Sequence, residues 1–430
     1  MNTENLKLTP FWTDDFPRPA DLPVSPLPEQ VDVAIIGGGY TGLSAAYTLA
    51  KGGASVAVLE QNQIGSGASS VNGGQATGGL KEGPQSLIKH YGRELGYELW
   101  ASSLKAIRYT EQLIRDETID CDYVSKGSIA LAYRASHYDQ LVRSAEWKAR
   151  ELDYHTILIP RDKLRTEIGS DVYFGGMLDE NIGGGLHPAK FVYGLARAAA
   201  CAGALLCEQT QVQSISRRPG HDGFRLVTSQ GEVSADAVLI ATNGYTEALV
   251  PELRRRVLPI GSYMITTEPL PAELQQDISP NQRVFWDTKW FLNYFRLTPD
   301  GRMAMGGRND LSTSLDLLDS AHRLHRRTLD IFPQLRGIPI THSWTGRLGV
   351  TFDLLPHIGQ VEGIYYVFGY SGHGVAIAPY LGREVAQLIS GQISRSPYAE
   401  IRHPTYFFYR RSPWFLPLVE AYFRVIDAIW

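Results

Sequence analysis

The sequence has little cysteine, and its pattern does not suggest a metal site or a disulfide framework. Cys121, Cys201 and Cys207 are the only cysteines in 430 residues. Their number is odd and no two are spaced as CxxC, so neither a zinc site nor a disulfide scaffold is expected. This usage fits a reducing compartment, and we expect a cytoplasmic protein without a bound metal.

Long hydrophobic runs are also absent. No apolar stretch approaches the roughly 18 residues that a membrane-spanning helix needs. The first thirty residues contain Asp14, Asp15 and several prolines, but no basic stretch followed by an apolar one, so they are not typical of a signal peptide. The sequence therefore predicts a soluble chain with no transmembrane segment.

Positive charge is not in excess, which argues against nucleic acid as a partner. The formal net charge is -4, and the run Arg254 to Arg256 is too short for a surface that binds a phosphate backbone. Hydrophobic residues make up 43% of the chain and charged residues 20%, which is ordinary for globular proteins. The length favours two domains.

A glycine-rich turn follows the first apolar run. Residues 31 to 36, VDVAII, are typical of a strand buried in a parallel sheet, and Gly37, Gly39 and Gly42 follow in the spacing GxGxxG. A small-residue helix up to Gly52 and a second strand that ends in Glu60 come next. Such glycines let backbone approach a pyrophosphate at the helix start, and the acid can accept bonds from ribose hydroxyls. The segment predicts a dinucleotide site.

The stretch that follows favours a flavin over a nicotinamide nucleotide. Residues 65 to 79, GSGASSVNGGQATGG, are small or carry short polar side chains. An extended flavin nucleotide needs a second length of bare backbone, because its pyrophosphate and ribityl chain continue beyond the first helix. A flexible linker is the alternative interpretation of this stretch.

Two later strand-to-turn segments carry the same signature. Residues 236 to 240, DAVLI, lead into ATNGY, and residues 364 to 368, IYYVF, lead into GYSGHG and a helix. A helix start at the second turn would direct its N–H groups at a negative part of a ligand. Because Pro379 is tolerated best in a first turn, we expect this helix to begin near Ala376.

The chain resembles the D-amino-acid-oxidase or glycine-oxidase-like family of FAD-dependent oxidoreductases. Within it, the sequence is most similar to the gamma-glutamylputrescine oxidoreductase branch. The resemblance covers nearly everything from Val31 to Gly391 and rests on segments that include GGGYTGLSAAYTLA, GASSVNGGQ, GGGLHPAKFVYGLA, ATNGYT, YMITTEPL, YFRLTPDGRMAMGGR, SWTGRLGVTFDLLPHIG and GYSGHGVA.

The resemblance implies an α/β fold with two domains. A Rossmann-like FAD-binding domain is expected from residues 30–85, 170–250 and 340–392. A substrate domain of the α+β type, built on an antiparallel sheet, is expected from 86–169 and 251–339. Residues 1–29 form an N-terminal lead, and 393–430 form an extension with an amphipathic helix. Hairpin strands are expected around the turn at Pro299 to Gly301.

The resemblance also implies FAD as the cofactor. The sarcosine-oxidase branch tethers its flavin to a cysteine in the segment around Gly346, whereas no cysteine follows Cys207 here, so the FAD is expected to be non-covalent. The candidate cofactor-binding residues are Gly37, Gly39, Tyr40, Thr41, Gly42, Glu60, Gln61, Gly67, Ala68, Ser69, Asn72, Gly73, Gly74, Gln75, Val212, Thr242, Gly244, Gly346, Gly372, His373, Gly374 and Val375.

The implied reaction is oxidation of a small-molecule amine. Hydride passes from the carbon beside a neutral nitrogen to the flavin, the imine is hydrolysed to an aldehyde, and oxygen or a quinone reoxidises the flavin. Sarcosine oxidases hold a substrate carboxylate with a lysine and arginines, but residues 373–376 and the GGQATGG loop contain no cation. This favours an amine with a remote acid group, such as gamma-glutamylputrescine, and hence polyamine catabolism.

Two other functions stay open from the sequence. One is oxidation of a free or N-substituted amino acid such as glycine, sarcosine, proline or a D-amino acid. The other is a flavin-binding or assembly protein without catalysis. The sequence does not choose between oxygen and quinone as electron acceptor.

Six residues are candidates for work at the substrate. His373, Tyr370 and Trp344 are candidates for catalysis or for the pocket wall, and Tyr263, Tyr294 and Arg296 for substrate binding. Each aromatic could instead be ordinary core packing, and Arg296 could be a surface charge on a strand. His373 is expected to act on the flavin rather than as a base.

The last seventeen residues, Trp414 to Trp430, form a candidate helix. Glu420, Arg424 and Asp427 fall on one narrow stripe at helical spacing. We expect the helix to pack onto its own protein. The alternative is contact with a membrane surface, where electrons could pass to a quinone.

Overall fold

The computed structural model of the chain describes residues 5–313, 315–410 and 413–429, and for Ala428 the backbone only. Two eight-stranded sheets organise these residues, and a three-stranded sheet lies apart from them. The first sheet contains Gln30–Ile36, Val56–Leu59, Leu205–Cys207, Val212–Arg217, Phe224–Thr228, Gly231–Ile240, His357–Val361 and Ile364–Phe368. The second contains Ser128–Leu131, Ile157–Pro160, Gly175–Asp179, Leu258–Pro269, Val284–Asp287, Asn293–Leu297, Arg302–Gly307 and Ile340–Val350. The third contains Gln75–Ala76, Val124–Ser125 and Gly184–Gly185.

Helices cover these sheets and fill the space between them. The α-helices are Phe11–Asp15, Tyr40–Lys51, Ala68–Val71, Pro84–Tyr91, Arg93–Asp116, Ala135–Leu152, Pro188–Cys201, Pro251–Arg254, Ala272–Ile278, Leu317–Ile331, Gly374–Ile389, Pro397–Glu400 and Leu416–Ile429. Short 3₁₀ turns are formed by Arg161–Thr166, Asn243–Tyr245 and Pro333–Leu335. None of the described helices is both long and apolar enough to cross a bilayer.

The centre of the first sheet is parallel, as the apolar runs predict. Gln30–Ile36 pairs in parallel with Val56–Leu59 on one side and with Gly231–Ile240 on the other. The end of Gly231–Ile240 also pairs with Ile364–Phe368. The four strands named in the sequence analysis therefore lie side by side in the sheet, and their carboxyl ends meet at one edge.

Two helices pack closely over this sheet. Tyr40–Lys51 follows the first glycine turn and ends at Gly52, as predicted. A Cβ at Gly42 would stand 2.0 Å from the carbonyl oxygen of Gly37, so only glycine permits this approach of helix to strand. The second helix begins at Gly374, two residues before the expected Ala376, and Pro379 lies in its second turn. Proline at this position donates no intrahelical hydrogen bond, and the helix is buried along most of its length.

The second sheet is mainly antiparallel, with one parallel pair between Val284–Asp287 and Ser128–Leu131. Asn293–Leu297 and Arg302–Gly307 form a hairpin around the turn at Pro299 to Gly301, which confirms that prediction. The α/β fold with a second, sheet-based layer is confirmed by this architecture.

Sheet membership corrects two of the expected domain boundaries. Gly175–Asp179 and Ile340–Val350 fall in segments assigned to the FAD-binding domain, yet both pair within the second sheet. Apolar alternation in a sequence identifies a strand but not its partner, which depends on long-range pairing.

The N-terminal lead is part of the core. The indole of Trp12 is fully buried and donates from Nε1 to the Asn72 carbonyl at 2.8 Å. Its ring meets Trp344 edge-on at 6.4 Å and lies 5.1 Å from the Arg296 guanidinium. Residues of the second sheet and of the loop at Asn72 therefore pack against this early segment.

Candidate active site

A cavity of about 700 Å³ opens where the parallel strands of the first sheet end. Its walls come from six parts of the chain: the turn after Ile36, the segment 59–72, residues 210–215, the segment after Ile240, residues 347–349, and the helix start at 370–378. Most of the predicted cofactor residues line it. Those outside its wall are Gly42, Gly73, Gly74, Gln75, Gly244, Gly346 and His373.

The first wall is the glycine turn ahead of Tyr40–Lys51. Gly37 has φ +110°, a conformation that favours glycine, and the Gly38 N–H donates to Glu60 Oε2 at 2.8 Å. The Tyr40 N–H donates to Ser69 Oγ at 3.0 Å, and a Cβ at Gly39 would stand 2.8 Å from that same oxygen. The helix start thus presents bare backbone and its positive end to the cavity, as an anionic phosphate requires.

Glu60 is positioned at the end of the second strand. Besides Gly38, the Asn62 N–H donates to its carboxylate at 3.0 Å. Burial raises the pKa of Glu60, although these bonds act in the opposite direction. A carboxylate has about four acceptor sites, so it keeps capacity for hydroxyl donors from a ligand.

The second helix start faces the same cavity. Gly369, Ser371 and Gly372 all have positive φ, and a Cβ on Gly372 would meet no protein atom within 4 Å. The hydroxyl of Tyr370 lies 2.5 Å from Thr41 Oγ1, which ties this turn to the first helix. Two positive helix ends therefore converge on one cavity.

These features fit FAD. The cavity joins a bare glycine turn and a helix end for phosphates, an acid for ribose hydroxyls, and a second helix end for a group that gains negative charge. The Nδ1 atom of His373 is buried without a hydrogen-bond partner among the described residues. Burial, with Lys81 and Arg308 nearby, lowers the pKa of His373 to about 3, so its ring is neutral at physiological pH.

The cofactor candidates outside the wall mostly permit close packing. A Cβ on Gly244 would stand 2.8 Å from the Leu348 carbonyl, and one on Gly346 would stand 2.9 Å from Val71. Gln75 donates from Nε2 to the Phe295 carbonyl at 3.1 Å. Direct contact of these residues with FAD stays a prediction.

Sequence reasoning missed several residues of the wall. Arg347 and Tyr245 line the cavity together, with the guanidinium 5.5 Å from the centre of the phenol ring. Residues 210–215 also line it, after the parallel strand Leu205–Cys207, and of these only Val212 was predicted. The others could have been found from a third parallel strand at the sheet edge, which the sequence pattern did not reveal.

Arg296 has a structural role, which corrects its assignment to the substrate. The guanidinium is buried and donates to the carbonyls of Gly73, Leu186 and Leu297. Burial lowers its pKa to about 10. Three of its donors hold backbone carbonyls, including that of Gly73 in the loop.

Trp344 and Tyr263 are core residues rather than pocket walls. Trp344 is buried and donates from Nε1 to the Val71 carbonyl at 2.8 Å. Tyr263 is fully buried, donates to the Ser312 carbonyl at 2.9 Å and accepts from the Leu315 N–H. Both aromatics satisfy their polar atoms internally, as buried tyrosine and tryptophan usually do.

Of the predicted substrate-binding residues, Tyr294 lies beside Gly73, in the glycine-rich loop that follows Glu60. Its ring is half-buried and lies 2.7 Å from where a Cβ on Gly73 would stand. Its hydroxyl is 3.0 Å from Ser262 Oγ. This placement keeps Tyr294 as a candidate for contact with the substrate.

Lys81 and Arg308 are cations that sequence reasoning missed. Burial and the neighbouring Arg308 lower the pKa of Lys81 to about 8, and burial lowers the pKa of Arg308. Neither side chain forms a salt bridge with a carboxylate anywhere in residues 5–313, 315–410 and 413–429. The GGQATGG loop itself contains no cation, as stated above, but Lys81 comes two residues later.

A larger cavity of about 1150 Å³ lies between Pro84–Tyr91, Arg93–Asp116 and Pro397, and none of the predicted catalytic, substrate-binding or cofactor-binding residues lines it. In the described part of the chain, no group of three or more His, Cys, Asp or Glu residues is arranged to hold a metal ion.

Comparison with known proteins places the chain among flavoenzymes. The model of the family described as "FAD dependent oxidoreductase" (DAO) matches residues 32–388. "Probable oxidoreductase OrdL" of Haemophilus influenzae is 35% identical over 85% of this chain and 84% of that protein. "Gamma-glutamylputrescine oxidoreductase" of Escherichia coli K12 is 34% identical over 86% of this chain and 87% of that protein.

Solved structures support the same fold. Glycine oxidase from Geobacillus kaustophilus superposes with a TM-score of 0.75 at 24% identity, over 88% of this chain and all of that one. L-proline dehydrogenase from P. horikoshii gives a TM-score of 0.71 at 22% identity, over 86% and 98%.

The family match covers most of the chain, and the cavity has the features that its cofactor needs. FAD is therefore the cofactor, and the chain is an oxidoreductase. The protein belongs to the DAO family of FAD-dependent oxidoreductases.

Proposed function

We propose that this enzyme oxidises an amine that carries a remote acid group, of the gamma-glutamylputrescine kind. When bound, FAD supplies a hydride acceptor for the carbon beside the amine nitrogen. The product imine is released to water and hydrolysed to an aldehyde. The similarity to gamma-glutamylputrescine oxidoreductase supports this substrate class.

The observation that carries the proposal is the pair Lys81 and Arg308. Both are surrounded by protein, both act on His373 electrostatically, and neither has a carboxylate partner in the described residues. Both side chains are half-buried, and neither forms a salt bridge within the described part of the chain, so a ligand that brings negative charge is favoured there. A remote carboxylate on the substrate meets this need.

The substrate amine has to react in its neutral form, so groups beside it should not stabilise the ammonium form. The neutral ring of His373 adds no further charge. A neutral nitrogen is the form that can release hydride from the adjacent carbon, so no strong general base is required.

Anaerobic reduction of the bound flavin by a panel of amines tests the proposal. Gamma-glutamylputrescine should bleach the flavin band quickly, whereas putrescine, which lacks the acid group, should bleach it slowly. Lys81→Met and Arg308→Met should each raise the substrate concentration for half-maximal rate by about tenfold or more, as expected for a lost charge-assisted bond. Equal rates with both amines would contradict the proposal.

A second candidate is oxidation of a free or N-substituted amino acid. Lys81 and Arg308 could hold an α-carboxylate as well as a remote one, and this is the observation that favours it. Faster bleaching by glycine, sarcosine, proline or a D-amino acid than by gamma-glutamylputrescine would select this candidate. Admission of air after bleaching then shows whether oxygen reoxidises the flavin or a quinone is needed.

A further inference from the structure

The helix Leu416–Ile429 turns its charged stripe towards the protein. The Glu420 carboxylate accepts from the Leu311 N–H at 3.2 Å. Asp427 accepts from the backbone N–H groups of Trp290 and Phe291 at 2.8 and 3.0 Å. Arg424 also donates to the Asn309 carbonyl. All three charged residues of the predicted stripe therefore form contacts with the rest of the protein.

The opposite face of this helix is apolar and open to solvent. Leu418, Tyr422, Val425 and Ile429 recur at helical spacing, and each is more than half exposed. Most of the large exposed hydrophobic side chains in the described residues belong to this helix and its neighbourhood, and the others are scattered over the surface. We call the following set the C-terminal apolar face: Trp290, Tyr406, Phe407, Phe408, Trp414, Leu418, Tyr422, Val425 and Ile429.

Such an arrangement is the reverse of an ordinary surface helix, which buries its apolar stripe and exposes its charges. A continuous apolar patch of this kind is a feature of interaction surfaces. Stacking of Phe423 on Trp290, with ring centres 4.3 Å apart, fixes the helix beside the rest of the patch.

The charges around the face indicate what covers it. In residues 402–429 the acids are Glu420 and Asp427, and both are directed inward. In the described residues 402–410 the exposed charged side chains are Arg402 and Arg410. A second copy placed on this face by a two-fold axis would find no outward acid of the described residues 402–429 to pair with these arginines. An anionic lipid surface complements both the arginines and the aromatic residues.

We propose that the C-terminal apolar face binds the surface of an anionic lipid bilayer, with Leu416–Ile429 lying in the plane of the headgroups. Tryptophan and tyrosine prefer this interfacial depth, because one part of each ring is apolar and another can bond to water or headgroups. The bilayer is contacted but not crossed.

Sedimentation with lipid vesicles tests this assignment on the full-length, FAD-loaded enzyme. The wild type should sediment with phosphatidylcholine vesicles that contain phosphatidylglycerol, and less with pure phosphatidylcholine. The triple variant Leu418→Ser, Tyr422→Ser, Ile429→Ser should bind at least about tenfold more weakly, since each buried apolar side chain contributes to partitioning. Arg402→Gln with Arg410→Gln should remove the preference for phosphatidylglycerol.

A matched control replaces exposed hydrophobic residues away from this face. The variant Leu8→Ser, Tyr97→Ser, Ile157→Ser changes side chains of similar exposure and should bind vesicles as the wild type does. Flavin absorbance and amine oxidation should be unchanged in every variant, which separates this test from that of the substrate. The proposal is overturned if wild-type enzyme stays in the supernatant, or if the triple variant sediments equally well. If the wild type does not bind vesicles, and gel filtration shows that it is a dimer while the triple variant is a monomer, the face would be assigned to contact with a second copy.

Discussion

At the scale of single residues, the glycines of the first turn were predicted well because their requirement is local. Gly39 leaves room for the Ser69 side chain and for a ligand. The spacing GxGxxG by itself predicts that a glycine is required at this position. Arg296 was predicted poorly because its partners, such as the Leu186 carbonyl, are brought near only by tertiary folding.

Gly39→Val should reduce the affinity for FAD by about tenfold or more, since the side chain would collide with Ser69 Oγ and the turn would have to shift. The ratio of flavin to protein absorbance after purification and dialysis measures the loss. Gly83→Val is the matched control, because a Cβ at Gly83 meets no protein atom within 4 Å. A Gly39→Val protein that keeps full flavin would contradict the placement of the turn.

The pH dependence of substrate binding should report Lys81. Its pKa is lowered to about 8, so the ammonium form is present below that pH and is lost as pH rises through it. The KM for an acid-bearing amine should therefore rise above about pH 8. Putrescine, which lacks the acid, should not show this step, and Lys81→Arg should move it to higher pH, because arginine stays protonated. If putrescine shows the same rise in KM, the titrating group is not Lys81.

At the scale of elements, the strands and helices around the first sheet follow from apolar runs bounded by glycine. The start of Gly374–Ile389 and the sheet membership of Ile340–Val350 did not follow, because both depend on burial and pairing with distant segments. The orientation of Leu416–Ile429 shows the same limit. Its charged stripe was visible in the sequence, but the backbone N–H groups that it contacts belong to residues 290, 291 and 311.

The short helix Phe11–Asp15 offers a test of packing between the layers. Trp12→Ala should lower the free energy of unfolding by about 3 to 5 kcal/mol, since it leaves a cavity and removes the bond to the Asn72 carbonyl. Chemical denaturation of the purified protein measures the change. Trp414→Ala is the control; that side chain is 62% exposed and its loss should change stability by less than about 0.5 kcal/mol. Similar effects for the two variants would argue against a central position for Trp12.

At the scale of the whole molecule, the family, the fold and the FAD site could be predicted from the sequence, whereas the substrate side of the cavity could not. Three dispersed glycine turns identify a flavin site because each has a local requirement. Lys81 and Arg308 stand 227 positions apart and carry no motif, so only the folded chain brings both near His373.

Acid precipitation should release the flavin from the whole protein into the supernatant. The basis is that no cysteine follows Cys207, and Cys121 and Cys207 are both buried. Absorbance of the supernatant near the flavin maximum measures the released fraction. Yellow colour that stays with the pellet would show a covalent bond.

The position of Trp12 has a consequence for biosynthesis. Trp12 leaves the ribosome early, but Trp344, which packs against it, is made 332 residues later. At translation rates of about 5 to 20 residues per second, this interval is roughly 17 to 66 seconds. Throughout it the indole has no native partner from the later half of the chain, so the nascent segment is a natural client for a chaperone that shields aromatic side chains.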